Sequence, residues 1–186
     1  MDTKRKHKWF LLGLLGSLAL PVVADDDGWF SSLFARRNGV APVSNTLYQE
    51  ECGSCHFAYQ PGWLPERSWQ RLLSPKGLED HFGENAELDE SDRQAILAYL
   101  LANAAEHSGY KRSKKIVHSL RDGETPLRIT ETRYIRRKHR EIPRRLIADN
   151  PKVGSLSNCD SCHTEAARGN FDEDTVRIPG YGYWDE

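Results

Sequence analysis

Methionine is almost absent from this sequence, because the only one is Met1. Removal of the first residues would therefore leave a chain without any thioether side chain, and such a chain cannot bind a metal through methionine. Cysteine is scarce as well, with four residues in 186. All four fall into one repeated pattern, described below, and no fifth cysteine is left over.

Long hydrophobic runs are also missing. The longest apolar stretch, Trp9–Val23, is shorter than the roughly 20 residues that a helix needs to cross a bilayer. A basic N-terminus precedes it, and Val22 and Ala24 provide the small residues that signal peptidase accepts. This pattern predicts a signal peptide over residues 1–24, cleaved after Ala24. The alternative is a retained membrane anchor. In both cases the rest of the chain lies outside the cytoplasm, and we expect a periplasmic protein without a stable membrane span after cleavage.

Charge is unevenly distributed along the predicted mature chain. The segment 110–145 holds thirteen Lys and Arg against four Asp and Glu, a local net charge of +9. The mature chain as a whole has 22 basic and 26 acidic residues, a net charge of −4, so the remainder is strongly acidic. Such a basic run fits a nucleic-acid surface, a solvated face, a docking face for an acidic redox partner, or a counter-charge for buried carboxylates. Nucleic acid is the weakest of these for an exported protein, and we expect none.

The four cysteines form two copies of the pattern C-x-x-C-H, "CGSCH" at Cys52–His56 and "CDSCH" at Cys159–His163. This is the attachment motif of c-type haem, in which two thiols form thioethers with the porphyrin vinyl groups and the adjacent histidine binds the iron. A disulfide framework or an all-cysteine zinc site would also use four cysteines, but neither explains the histidine after each pair. The motifs therefore predict two haem c groups. The expected attachment residues and proximal ligands are Cys52, Cys55, Cys159, Cys162, His56 and His163.

The sixth iron ligand decides what a haem protein does. Because Met1 leaves with the signal peptide, histidine–methionine ligation is excluded at both haems. Beyond the two proximal ligands, the histidines of the mature chain are His81, His107, His118 and His139. His81 precedes a strongly helical stretch, in a loop where a class I cytochrome c usually has its methionine. We therefore expect His81 to be the distal ligand of the first haem.

The helices around His81 support this layout. The stretch "SNTLYQEECGSCH" predicts a short helix that includes Tyr48 and ends in the first motif. After His81, Ser91 and Gln94 can form a capping box, and an apolar stripe follows at Ile96, Leu97, Leu100 and Leu101. A helix with the haem motif, a loop ligand and a closing helix together predict a class I-like haem domain.

The second distal ligand is not fixed by the residues themselves. His107 follows the closing helix, where a cation is favoured at the C-terminus. His118 lies on a mixed helical segment, and His139 lies in the basic run shortly before the second motif. No periodicity separates these three candidates.

Several long stretches resemble the exported dihaem c-type cytochromes with two bis-histidine haems. They are "ECGSCHFAYQPGWLP", "SWQRL", "LEDHFGENAELD", "YLLANAAE", "PLRITETRYIRRKHREIP", "PKVGSLSNCDSCHTEAARGNFDED" and "RIP". The resemblance implies His81 and His139 as the distal ligands, opposite His56 and His163. It also implies a redox protein partner, a small high-spin, oxygen-binding c-type cytochrome that accepts electrons.

These predictions combine into one description. The fold is expected to be mainly α, with a class I cytochrome c-like haem domain over 44–106 and a smaller, irregular haem-wrapping domain over 107–186. Residues 25–43 are expected to form a flexible N-terminal segment. We expect an electron carrier without catalytic residues, with two low-spin haems c. The alternative is a dihaem peroxidase or reductase, or a gas-sensing haem protein, in which one distal ligand is displaceable.

Overall fold

The computed structural model describes residues 38–184, so the predicted signal peptide lies outside the described residues. Most of the predicted flexible segment 25–43 lies outside them as well. The described end of this segment packs against the C-terminal half of the chain, because the Val40 amide donates a hydrogen bond to the Gly169 carbonyl at 3.0 Å. Both Gly39 and Gly169 lie where a side chain would collide with the opposite backbone, and Gly169 has a φ of +75°. Two glycines therefore allow the N-terminal segment to lie directly on the C-terminal half.

The described chain is mainly helical. Six α-helices lie wholly within it: α1 Thr46–Gly53, α2 Glu66–Leu72, α3 Pro75–Glu79, α4 Glu90–Ala102, α5 Lys111–Ser119 and α6 Arg133–His139. Seven short 3₁₀ turns connect or follow them: Pro61–Trp63, Ala105–His107, Ile129–Glu131, Arg144–Leu146, Cys159–Ser161, Ala166–Arg168 and Glu173–Thr175. Strands β1, Arg177–Ile178, and β2, Gly182–Tyr183, form one short antiparallel pair. No helix among residues 38–184 has the length and apolar character that a membrane crossing requires.

The predicted helix before the first motif is confirmed as α1. The Asn45 side chain caps it by accepting a hydrogen bond from the Tyr48 amide at 2.8 Å. Tyr48 is buried, and its hydroxyl donates to the Tyr59 carbonyl at 2.7 Å. The helix ends at Gly53, inside the first motif, so that the remaining motif residues leave it in a turn.

The predicted closing helix is confirmed as α4, with Ile96 and Leu100 fully buried. The predicted capping box is wrong. The helix begins at Glu90, one residue before Ser91, and its N-cap residue Asp89 makes no side-chain cap bond. Gln94 instead donates to the Glu90 carboxylate at 2.8 Å, an interaction within the first turns rather than across the cap.

The two haem-motif halves share one hydrophobic core. Buried residues from both sides of 106–110, such as Leu100, Ile116 and Phe171, belong to a single cluster. Gln60, fully buried, donates to the Ala166 carbonyl at 2.6 Å and accepts from the Trp63 indole at 3.1 Å. Because a buried amide without partners is costly, this bond network fixes the two halves against each other.

After α6 the described chain has little regular structure. Only the later 3₁₀ turns and the short strand pair follow His139. Most backbone hydrogen bonds of this segment close short turns, such as the bond from the Val153 amide to the Asn150 carbonyl at 2.9 Å, and its packing on the rest of the chain depends on the side chains that it buries.

Candidate haem-binding sites

The first candidate site is formed by His56 and His81. Their ring centres lie 6.3 Å apart and their planes are nearly parallel, at 17°. The Nδ1 atom of His56 lies 2.8 Å from the Phe57 carbonyl oxygen, which leaves Nε2 available. His81 lies in the loop between α3 and α4, as predicted, and its backbone exchanges hydrogen bonds with Glu84 at 2.8 and 3.3 Å. This backbone bridge holds the His81 ring opposite His56.

The second candidate site is formed by His139 and His163. Their ring centres lie 6.1 Å apart, with planes at 75°. His139 is the last residue of α6, and its Nδ1 atom lies 2.9 Å from the Ile135 carbonyl oxygen. His163 follows the 3₁₀ turn of the second motif, and its amide donates to the Cys159 carbonyl at 2.8 Å. Two histidines that are 24 residues apart in the sequence are thus brought next to each other.

Both separations fit one metal ion between two imidazoles. An imidazole nitrogen binds a transition metal at about 2 Å, and the ring centre lies about 1 Å further away, so two opposed ligands have centres about 6 Å apart. The two observed distances, 6.3 and 6.1 Å, match this value. The donor set, two histidines with two adjacent thiols at each site, is the set that a haem c requires.

Burial keeps two of these imidazoles neutral, which is the form that binds a metal. The pKa of His163 is lowered to about 4, first by burial and then by the neighbouring His139 and Arg112. The pKa of His81 is also lowered, first by burial and second by His56. The surroundings of the two sites therefore favour ligation over protonation.

The four cysteines are free thiols rather than disulfides. Burial is the main cause that raises the pKa of Cys52 to about 11 and that of Cys159 to about 12. Within residues 38–184, no group of three or more His, Cys, Asp or Glu side chains is arranged to hold a metal ion. The geometry therefore gives no support to the disulfide framework or to the all-cysteine zinc site.

A cavity of about 1020 Å³, including its open mouth, surrounds the second site. Its walls include Cys159, Cys162, both histidines, and apolar side chains such as Ile147. Of the cations, only Arg112 and Lys138 line it. The arginines of the run 132–145, one candidate group for binding haem carboxylates, do not line this cavity. The buried Arg112 Nε and Trp184 Nε1 atoms have no hydrogen-bond partner among the described residues, so they are available to a carboxylate.

Tyr59 connects the two sites, a role that was not predicted from the sequence. Its ring stacks on His56 with centres 5.0 Å apart, and its hydroxyl donates to the Ser157 carbonyl at 2.7 Å, just before the second motif. Burial is the main cause that raises the pKa of Tyr59 to about 12, with Cys159 second. The phenol therefore stays protonated and keeps its donor bond between the two halves.

The role of Phe82 was not predicted from the sequence either. It follows His81 with a φ of +59°, a conformation that residues other than glycine rarely adopt. Its exposed ring lies under the Arg128 guanidinium, 3.9 Å from the ring centre. This contact connects the loop of His81 to the segment that follows α5, and such long-range pairing leaves no local signal.

The other two histidines lie away from both sites. Nε2 of His107 lies 2.7 Å from a carboxylate oxygen of Glu66, in an exposed pair. His118 is exposed on α5. Of the three candidates that the sequence left open, His139 alone has its ring opposite His163.

Comparisons with known proteins identify the family to which the chain is similar. A family model described as "Dihaem cytochrome c" matches residues 48–171, more than half of the chain. A diheme cytochrome type c from Shewanella baltica OS155 is 45% identical with a TM-score of 0.63, and the match covers 76% of this chain and 98% of that one. A diheme cytochrome c from Rhodobacter sphaeroides is 44% identical with a TM-score of 0.62, over 71% of this chain and 100% of that one.

The crystal structure of DHC purified from Rhodobacter sphaeroides gives 41% identity and a TM-score of 0.54, over 70% of this chain and 99% of that one. Among curated proteins nothing matches the chain. The matched region includes both motifs and all four paired histidines. The chain belongs to the dihaem cytochrome c family, and it holds two covalently bound haem c groups with iron.

Proposed function

We propose that the protein is a periplasmic electron carrier with two low-spin, bis-histidine haems. The observation that supports this most directly is the pair of opposed imidazoles at each site, 6.3 and 6.1 Å apart. His56 and His81 bind the first iron, and His139 and His163 bind the second. Cys52 and Cys55 hold the first haem, and Cys159 and Cys162 hold the second.

The haem iron supplies the one-electron redox change, and the chain supplies ligation, burial and position. With two histidines as ligands, each iron would have no coordination position left for oxygen or peroxide. The backbone bonds of His81 and the Nδ1 contact of His139 hold the distal rings in place. Tyr59 keeps a fixed geometry between the two sites through its bond to Ser157. A rigid, saturated pair of sites suits electron transfer, since little has to move when the charge changes.

The same ligand arrangement supports a more detailed proposal for the two parts of the chain, the haem potentials and the partner. The N-terminal part, 44–106, has the class I-like order of motif helix, loop ligand and closing helix, while the part from 107 wraps the second haem with turns. Because methionine ligation raises the potential of a haem and the predicted mature chain has no methionine, both potentials are expected to lie below those of histidine–methionine carriers. The proposed partner is another redox protein, a small high-spin c-type cytochrome.

A redox titration of the wild-type protein, with optical spectra before and after carbon monoxide is added, distinguishes an electron carrier from an enzyme or a sensor. We expect two one-electron transitions, low-spin optical bands in both oxidation states, and no change of the reduced spectrum under carbon monoxide. A peroxidase, reductase or gas sensor needs an iron that is open or opens easily. A carbon monoxide complex that forms readily in the reduced protein would contradict the proposal.

A further inference from the structure

Helices α5 and α6 pack against each other, and their outward sides are rich in cations. We call six of these side chains the basic face: Lys111, Lys114, Lys115, Arg133, Arg136 and Arg137. All six are exposed, and none of them forms an ion pair with another residue in the range 38–184. Neighbouring cations differ in this respect, since Arg112 pairs with Asp172 at 3.0 Å and Arg140 with Glu141 at 3.1 Å.

The cations of the two helices meet around one residue, Tyr134. The Lys115 ammonium lies 5.8 Å from the centre of its ring, and the Arg137 guanidinium lies 5.9 Å from it. On each helix a further cation lies one turn earlier: Lys111 precedes Lys115 on α5, and Arg133 precedes Arg137 on α6. The Glu173 carboxylate offsets the positive charge of Lys115 only in part, because this carboxylate forms an ion pair with Lys138 at 2.6 Å. Concentrated, uncompensated charge of one sign attracts a partner of the opposite sign.

The basic face lies directly over the second haem site. The inward side of α6 lines the cavity with Tyr134, Ile135 and His139, while Arg133, Arg136 and Arg137 point outward. A helix with its side chains is about 10–12 Å across, so a molecule on the basic face is about one helix diameter from the cavity. Electron tunnelling weakens steeply with distance, and a docking surface is useful to a carrier only where the redox group is near.

The composition of the basic face selects the class of partner. The large exposed apolar side chains of residues 38–184 are Phe82, Tyr181 and Tyr183, and none of them lies on α5 or α6. The face thus has no large apolar group to insert into a bilayer and no exposed aromatic ring on which a nucleic-acid base could stack. What it has is a set of flexible cations, which suits the carboxylates of an acidic protein surface.

We propose that the basic face is the docking surface for an acidic one-electron carrier protein. The inference rests on the proposed function, since it assumes that the second haem exchanges single electrons with a protein. Encounter is steered by charge, and the cations of α5 and α6 hold the acidic surface of the partner over the cavity that contains His139.

The test uses flavodoxin, an acidic one-electron carrier, as the probe. Reduced flavodoxin is mixed with the oxidised wild-type protein and with the variant Lys115→Glu/Arg137→Glu in a stopped-flow instrument at several salt concentrations. Charge steering changes association rates by about 10- to 1000-fold. We expect the wild-type second-order rate constant to fall as salt rises. At low salt the variant should react at least about tenfold more slowly, with little salt dependence.

Two further variants make the result specific. Arg71→Glu/Lys76→Glu changes the net charge equally, at exposed positions outside the basic face, and should keep the wild-type rate within about twofold. Lys111→Glu/Arg133→Glu removes the cations one turn earlier, without touching the contacts of Tyr134, and should slow the reaction as the first variant does. All variants should keep the low-spin spectrum of the wild type, which separates a failure here from a failure of the ligand assignment.

Three outcomes would overturn the docking proposal. The first is a rate and salt dependence that neither face variant changes. The second is an equal loss in Arg71→Glu/Lys76→Glu, which would attribute the effect to net charge alone. The third is cosedimentation with phosphatidylglycerol vesicles that the face variants abolish while the flavodoxin rate stays unchanged, which would make α5 and α6 a lipid-binding surface.

Discussion

Replacement of His139 by alanine should convert one of the two haems to a high-spin state. About half of the low-spin absorbance is expected to disappear, and the reduced variant should bind carbon monoxide at one haem per molecule. The reason is that the His139 ring is the imidazole opposite His163, with ring centres 6.1 Å apart, and residues 2–186 contain no methionine to replace it. Optical and electron paramagnetic resonance spectra of the purified variant measure both effects.

His107→Ala and His118→Ala are the matched controls. His107 is paired with Glu66 and His118 is exposed on α5, so both variants should keep two low-spin haems. Added imidazole should restore the low-spin spectrum of His139→Ala, because the free ligand enters the space left by the side chain. Two low-spin haems in His139→Ala without added imidazole, together with a high-spin haem in His107→Ala or His118→Ala, would transfer the assignment to that residue.

Replacement of both cysteines of the second motif, Cys159→Ala/Cys162→Ala, should have the largest effect on stability. Without thioethers the second haem is no longer covalently attached, and the cavity around His139 and His163 loses the group that it surrounds. Because buried apolar surface contributes about 25 cal/mol per Å², the loss of a group as large as a haem removes a substantial part of the stability of a domain. We expect one haem per molecule, and rapid proteolysis after α6, where the described chain has only short turns and strands.

Asp160→Asn/Ser161→Ala provides the control for this experiment. These two residues lie between the cysteines and supply neither a thioether nor a ligand, so the variant should retain two haems and resist protease like the wild type. The comparison is made by haem stoichiometry and by limited proteolysis followed by mass spectrometry. A cysteine variant with one haem and an unchanged proteolysis pattern would show that the C-terminal half is held by its own packing.

Much of the first site could be predicted from the sequence because its signals are local. The motif at Cys52–His56, the helix capped by Asn45 and the loop position of His81 each depend on a few adjacent residues. The prediction of a capping box at Ser91 was wrong because a local pattern does not decide which polar residue of the first turn makes which bond. Several first-turn polar residues compete for the same role, and here Glu90 bonds with Arg93 and Gln94 inside the helix.

The second site needed more than local patterns. His139 and His163 meet only because the chain turns back after α6, and no spacing rule distinguishes His139 from His107 or His118. The helical repeat explains which side chains of α6 point toward the cavity. Tyr134 and Ile135 face the cavity, and residues four positions later, Lys138 and His139, follow them inward, which leaves the arginines outside.

The contacts between the halves were not predictable from one sequence. Tyr59 bonds to Ser157, 98 residues away, and Gln60 bonds to Ala166, 106 residues away. The guanidinium of Arg128 covers the ring of Phe82, which lies more than 40 residues earlier in the sequence. None of these pairs has a periodicity or a motif, because each is fixed by how the halves pack.

Electron paramagnetic resonance of the oxidised wild-type protein tests the two ligand pairs together. Nearly parallel imidazole planes separate the iron d orbitals and give a rhombic low-spin signal, whereas nearly perpendicular planes leave two orbitals close in energy and give a single, strongly anisotropic low-spin signal. With planes at 17° for His56 and His81 and at 75° for His139 and His163, we expect one signal of each type in equal amounts and no high-spin signal. A high-spin signal from either haem, or two rhombic signals, would contradict the ligand assignment and its geometry.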